Sequence, residues 1–229
     1  MLYHWLNKQN NSRLIVFLAG WSFDFYPFEF WNCKGSDFLF VYDYNSIEKS
    51  DLPDLTGNYT ERILITWSMG VFAGYILRDL FEDFDRKTAV NGTPYPVHDT
   101  LGIPLKPFLL TLRHAKTGLE GKFYQNVFDK TEEFERYSKA PVRRTIENRE
   151  SELKSLYKRI NEEKVDYKNF YDFALISAND KIIPAKNQIN FWQDRIPFKI
   201  LESGHFPFYN FESPEEITEL AATEKCLCR

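Results

Sequence analysis

Six short apolar runs punctuate the chain. Leu14 to Ala19 (LIVFLA) is continuously apolar and ends at Gly20, the pattern of a strand covered on both faces in a parallel sheet. Phe38 to Tyr42 (FLFVY) repeats it, and so does Ile63 to Thr66 (ILIT), which runs at once into Ser68-Met69-Gly70. Thr88 to Val90 leads into Asn91-Gly92-Thr93-Pro94. Phe173 to Ile176 ends in Ser177-Ala178-Asn179-Asp180, and the last run, 198–201, ends in Glu202-Ser203-Gly204-His205. Residues 70–82 carry apolar side chains at helical spacing. Ser213-Pro214-Glu215-Glu216 has the capping Ser, the early Pro and the acidic first turn of a helix start. Alternating strand and helix signals predict an α/β fold with a mostly parallel central sheet.

Residues 113–168 break the alternation. They contain no strand run, and 130–163 is patterned like helix. The segment holds 14 Lys+Arg against 11 Asp+Glu, a balance of +3, while the rest of the chain stands at −7. The division expected is a core of 1–112 and 169–229 with a helical cap insertion at 113–168. An insertion between two sheet strands can lie over their carboxyl edge, where α/β sheets bind ligands.

Composition narrows the class. With 229 residues, 43% hydrophobic and 27% charged, the chain is a globular domain rather than a disordered one. A net charge of −4 argues against a globally basic nucleic-acid binder. No apolar run approaches the ~20 residues of a membrane span, and the N-terminus lacks a signal-peptide core. Cys33, Cys226 and Cys228 make an odd count with poor spacing for disulfides, pointing to a reducing compartment. The last two lack nearby partners for a metal site. The expectation is a cytoplasmic protein that holds no metal and binds neither nucleic acid nor membrane.

Thr66-Trp67-Ser68-Met69-Gly70 sits between a buried strand and a helix, the context of a nucleophile elbow, whose tight turn exposes the serine hydroxyl. Gly70 supplies the small residue two places on. Thr66 departs from the usual first glycine, and a capping serine is the structural alternative. A serine nucleophile needs a base, and the base an orienting acid. Of four histidines, His4, His98 and His114 lie in a terminal segment, a post-strand loop and the insertion, and only His205 sits at the carboxyl edge of a predicted strand. Asp180 likewise follows a strand, whereas Asp172 precedes it and Asp194 falls on a predicted helix. Ser68, Asp180 and His205 then occur in the order of α/β-hydrolases. Oxyanion donors are expected from the backbone N–H groups of Met69 and of Trp21, in the Gly20-Trp21-Ser22 loop.

Aromatic residues number 39 of 229, and they crowd residues 21–31. Trp21, Phe23 and Phe206 are the candidates to line an apolar acyl pocket; core packing is the alternative for each ring. In the insertion, Arg136, Lys139, Arg143, Arg144 and Arg149 are candidates to meet an acidic partner, against the alternative of a solvated helix face.

Taken together, LAGWS (18–22), VYDY (41–44), TWSMGV (66–71), AVNGT (89–93), LGIP (101–104), FERY (134–137), NDKIIPAKNQ (179–188) and GHFPF (204–208) resemble the pimeloyl-[acyl-carrier protein] methyl ester esterases of the BioG type. The resemblance covers most of the chain. It implies an α/β-hydrolase that releases methanol from the methyl ester of pimeloyl-carrier protein in biotin synthesis. It implies Ser68 as nucleophile, Asp180 as orienting acid, His205 as base, Trp21 and Met69 as oxyanion donors, no metal or redox cofactor, and a helical cap that meets the acidic acyl-carrier protein. Two alternatives stay open: another esterase or an acyl thioesterase on the same scaffold, and a non-catalytic carrier-protein-binding module.

Overall fold

A computed structural model describes residues 1–227, with side chains for all but 119, 120 and 221–227; Cys226 and Cys228 fall outside the described side chains. Strands β1 (Leu2–Asn7), β2 (Arg13–Leu18), β3 (Asp37–Tyr42) and β4 (Glu61–Trp67) come first, followed by helix α1 (Met69–Ile76) and β5 (Arg86–Val90). Helices α2 (Leu105–Gly118), α3 (Tyr124–Val127), α4 (Thr131–Lys139) and α5 (Ile146–Glu162) separate β5 from β6 (Phe173–Ser177). Helix α6 (Ala185–Trp192), β7 (Phe198–Leu201) and α7 (Pro214–Leu227) complete the order.

One sheet results, in the order β1-β3-β2-β4-β5-β6-β7. The pairings from β3 through β7 are parallel, and β1 lies antiparallel to β3 on the edge. The apolar runs occupy the middle because both of their faces are covered: Leu14 to Ala19 and Phe38 to Val41 are fully buried. Strand β1 is an addition to the predicted set. Its first three residues are exposed and a register shift interrupts it between Trp5 and Asn7, so it carries no continuous apolar run.

Helices α2 and α5 pack on each other through rings such as Phe108 and Tyr157, 5.3 Å apart. Helix α2 opens at Leu105, ahead of residue 113. Pro107 is tolerated there because the first helical turn has no intrahelical N–H bond to lose. Parallel strands bring the loops after β2, β4, β5, β6 and β7 to one edge of the sheet. That edge holds Trp21, Ser68, Asn91, Asp180 and His205.

Candidate active site

The turn after β4 forces Ser68 to φ 57° and ψ −120°, a conformation few non-glycine residues adopt. Its N–H donates to the Val90 carbonyl at 3.0 Å. Gly70 makes the turn possible. A Cβ there would lie 2.2 Å from the Leu18 carbonyl oxygen and 2.6 Å from that of Ala19, so helix α1 starts in contact with the β2 backbone. Thr66 fits where a glycine is usual because Gly74 leaves space for it. A Cβ on Gly74 would stand 2.9 Å from the Thr66 methyl, and the Thr66 hydroxyl bonds the Thr88 carbonyl and Tyr171 Oη at 3.3 and 3.2 Å.

His205 Nε2 lies 2.8 Å from Ser68 Oγ, and His205 Nδ1 lies 2.8 Å from Asp180 Oδ2. All three are buried. The other carboxylate oxygen, Oδ1, accepts the N–H groups of Ile182 and Ile183, each at 2.8 Å, and Gln188 Nε2 donates to Oδ2 at 3.0 Å. The Asp180 carboxylate is thus fixed in place before it meets the imidazole. With Nδ1–H donated to Asp180, Nε2 is left to accept the serine proton, an arrangement that can generate an alkoxide and form an acyl-enzyme.

Two residues that the sequence reasoning did not single out hold the histidine loop. Trp67 Nε1 donates to the His205 carbonyl at 2.8 Å. Asn91 Nδ2 donates to the same carbonyl at 3.0 Å and to Ser177 Oγ at 2.8 Å, while its Oδ1 accepts the Ser177 N–H at 2.7 Å. Asn91 therefore ties the ends of β5 and β6 to the loop after β7. An Asn before Gly just past a strand, at φ 44°, was the available signal.

A cavity of about 570 Å³ opens beside Ser68 and His205, walled by Trp21, Phe23, Met69, Phe108, Phe123 and Leu153 among others. Gly20 presses against Ser68, since a Cβ there would come within 3.1 Å of Ser68 Cβ. Among the described residues, no group accepts the backbone N–H of Trp21 or of Met69.

Trp21 and Phe23 line this cavity, and Phe206 does not. Phe206 is fully buried in an aromatic cluster against Phe23, Phe28, Trp67 and Phe208, because its backbone follows the histidine back beneath the sheet edge. Phe28 and Trp31 also belong to the core, packed on Phe17 and Phe208. His114 lines the cavity at its exposed rim.

The cationic candidates divide. Arg136, Lys139 and Arg143 are exposed; Arg136 stacks over Phe30 and Tyr209, and Arg143 over Tyr26 at 3.6 Å. Arg144 and Arg149 are corrections to the surface assignment, for both side chains turn inward. Arg144 Nη1 meets Glu152 at 2.8 Å and its Nη2 meets Asp43 at 3.3 Å, with the side chain 6% exposed. Arg149 is buried and donates to Tyr124 Oη at 2.8 Å. Desolvation turns each guanidinium toward acceptors that lie elsewhere in the sequence. None of the five lines the cavity; its cations are Lys122 and Lys181, both exposed. Burial pushes the Glu152 carboxyl up, against the opposing pull of Arg144 and of the Tyr44 and Ser22 N–H groups.

A sequence model of the family described as pimeloyl-ACP methyl esterase BioG matches residues 1–217. A Bacteroides fragilis protein named malonyl-[acyl-carrier protein] O-methyltransferase is 30% identical over 184 residues, which cover 80% of this chain and 37% of that protein. The chain thus spans little more than a third of that relative's length. The crystal structure of BioG from Haemophilus influenzae superposes with a TM-score of 0.84 at 27% identity, covering 94% of this chain and 99% of that one. A peroxisomal alpha-beta-hydrolase from Saccharomyces cerevisiae matches with a TM-score of 0.58 at 16% identity, over 92% of this chain and 75% of the other, a likeness of fold alone. The fold is that of the α/β-hydrolases.

Proposed function

This chain belongs to the pimeloyl-ACP methyl esterase BioG family, and on that footing we propose that it hydrolyses the methyl ester of a pimeloyl-carrier-protein conjugate through an acyl-enzyme on Ser68. The family makes it a carboxylic ester hydrolase. The observation that carries the finer reading is the chain of hydrogen bonds from Ser68 Oγ through His205 to Asp180, set at the wall of an apolar cavity.

His205 Nε2 takes the Ser68 proton as Oγ attacks the ester carbonyl. Charge develops on the carbonyl oxygen, and the N–H groups of Trp21 and Met69 receive it. The tetrahedral adduct collapses, its C–O bond to the methoxy group breaks, and His205 returns the proton so that methanol leaves. Water, deprotonated by the same nitrogen, then attacks the acyl-serine and frees the carboxylate. Asp180 holds the imidazole in the required tautomer throughout.

The cavity suits a chain of methylenes, since its walls are largely aromatic and aliphatic. The carrier is joined at the far end of that chain, so its acidic surface meets the rim. Lys122 and Lys181 there, with Arg136, Lys139 and Arg143 on the outer helical surface, supply the complementary charge. The segment 113–168 acts in this reading as the cap over the site.

Mass spectrometry of a methyl pimeloyl-carrier conjugate incubated with the protein tests the proposal. A product lighter by one CH₂, still attached to the carrier, is expected. A freed carrier thiol points to a thioesterase instead, and no change on folded protein points to a binding module.

A further inference from the structure

The helix that lies over the active site also reaches into the oxyanion loop. Glu152, on α5, is fully buried. Its Oε2 accepts the backbone N–H of Ser22 at 3.1 Å and Arg144 Nη1 at 2.8 Å, and its Oε1 accepts the backbone N–H of Tyr44 at 2.8 Å. Ser22 and Tyr44 follow the carboxyl ends of β2 and β3, where the parallel ladder has ended. One carboxylate therefore satisfies two N–H groups that strand pairing leaves over.

Two further contacts hold the loop after β2, at Trp21 and at Ser22. Trp21 Nε1 donates to the Arg149 carbonyl on α5 at 2.8 Å, and Tyr124 Oη on α3 bonds Ser22 Oγ at 3.1 Å. Ser22 itself stands at φ 73°, an uncommon state for a residue with a side chain. The peptide N–H of Trp21 carries no partner of its own among the described residues. Its direction depends on how residues 20–22 are held.

We infer that Glu152 is a positioning residue for the oxyanion hole: by binding the Ser22 N–H it fixes the loop so that the Trp21 N–H faces the ester attacked by Ser68. The inference rests on Trp21 serving as an oxyanion donor. A buried carboxylate is costly to desolvate, and here it is placed against the loop that carries Trp21. It follows that α5 is a fixed wall of the site, because lifting it would break the hold on that loop.

The test uses the full chain and p-nitrophenyl butyrate, a small neutral ester that needs no carrier. Active sites are counted by end-point labelling with a fluorophosphonate, so that unfolded protein is discounted. In Glu152→Gln one of the two accepting oxygens becomes an N–H donor facing another N–H. The expected result is a fall in kcat per labelled site of roughly 10- to 100-fold with KM within about twofold. Affinity for a short alkyl boronic acid, which becomes a tetrahedral anion on the serine, falls by the same factor, while affinity for the amide isostere of the ester holds. Unchanged kcat per labelled site, or boronate and amide affinities that fall together, overturns the inference. Should Glu152→Gln not fold, Glu152→Asp keeps a carboxylate for Arg144 and shortens its reach toward the Ser22 N–H by one methylene. Its kcat per labelled site is expected to drop roughly three- to tenfold, and no drop refutes the claim. A wild type that cleaves the small ester but not the carrier conjugate removes the carrier reading and leaves this one standing.

Discussion

Replacing Gly70 with alanine tests the elbow at its tightest point. The added Cβ would lie 2.2 Å from the Leu18 carbonyl oxygen and 2.6 Å from that of Ala19. Both neighbours are backbone atoms of a strand buried on both faces, so neither can rotate away. Restoring an ordinary contact takes a displacement of α1 from β2 of about 1 Å. Ser68 opens that helix and moves with it. Overpacking of this kind costs about 1–3 kcal/mol, and a shift of about 1 Å at a reacting group costs about 10²-fold in rate. In a chain of this size each kcal/mol lowers Tm by about 2–4 °C. The assays are thermal unfolding and kcat/KM on a small ester. Gly35→Ala serves as the control, since its Cβ would meet only Glu215 Oε1 at an ordinary 3.5 Å. A Gly70→Ala protein with wild-type Tm and wild-type kcat/KM would refute the packing argument.

Three other perturbations follow from the same geometry. Gly74→Ala is expected to destabilise the protein by crowding the Thr66 methyl and Tyr171 Oη, and Thr66→Gly in the same chain restores part of the loss; additive Tm shifts in the double variant would contradict the pairing. Asn91→Asp keeps an acceptor for the Ser177 N–H but sets a carboxylate against the His205 carbonyl, so kcat on a small ester should drop at least tenfold, with a stability loss of about 1–3 kcal/mol measured by urea unfolding. Burial opposes ionisation of Asp37, but Lys8, the N–H groups of Gln9 and Asn11, and Tyr59 outweigh it and hold the carboxyl down to about 2. Its contribution to stability is therefore complete above the ordinary value of 3.8 and is lost as pH falls toward 2. The Tm gap between wild type and Asp37→Asn should narrow across that interval, and a constant gap would disprove the assignment.

Much of the sheet was legible because parallel strands covered on both faces must be apolar throughout. That is why Leu14–Leu18 and Phe38–Val41 stand out, and why the residues just beyond such runs, Ser68, Asp180 and His205, can be read as neighbours at one edge. Strand β1 was not legible: it sits on the edge, half exposed, and its pairing with β3 crosses some thirty-five residues. Helical periodicity marks α4 and α5 as charged but does not say which cations turn inward. Arg144 is drawn in by Asp43, whose proximity no local pattern reveals, and Arg149 by Tyr124. Phe206 shares its neighbourhood with His205, yet successive side chains leave the backbone in different directions, so one meets the serine and the next enters the core. The same limit hid Asn91, whose partners lie at the end of β6 and in the loop after β7.

The central claim is that Ser68, activated by His205, opens the methyl ester. Its most direct measurement is methanol released from a methyl pimeloyl-carrier conjugate by wild type and by Ser68→Ala, each shown to be folded. Stoichiometric methanol from the wild type and none above background from Ser68→Ala is the predicted result. Methanol release by Ser68→Ala at an appreciable fraction of the wild-type rate would contradict it.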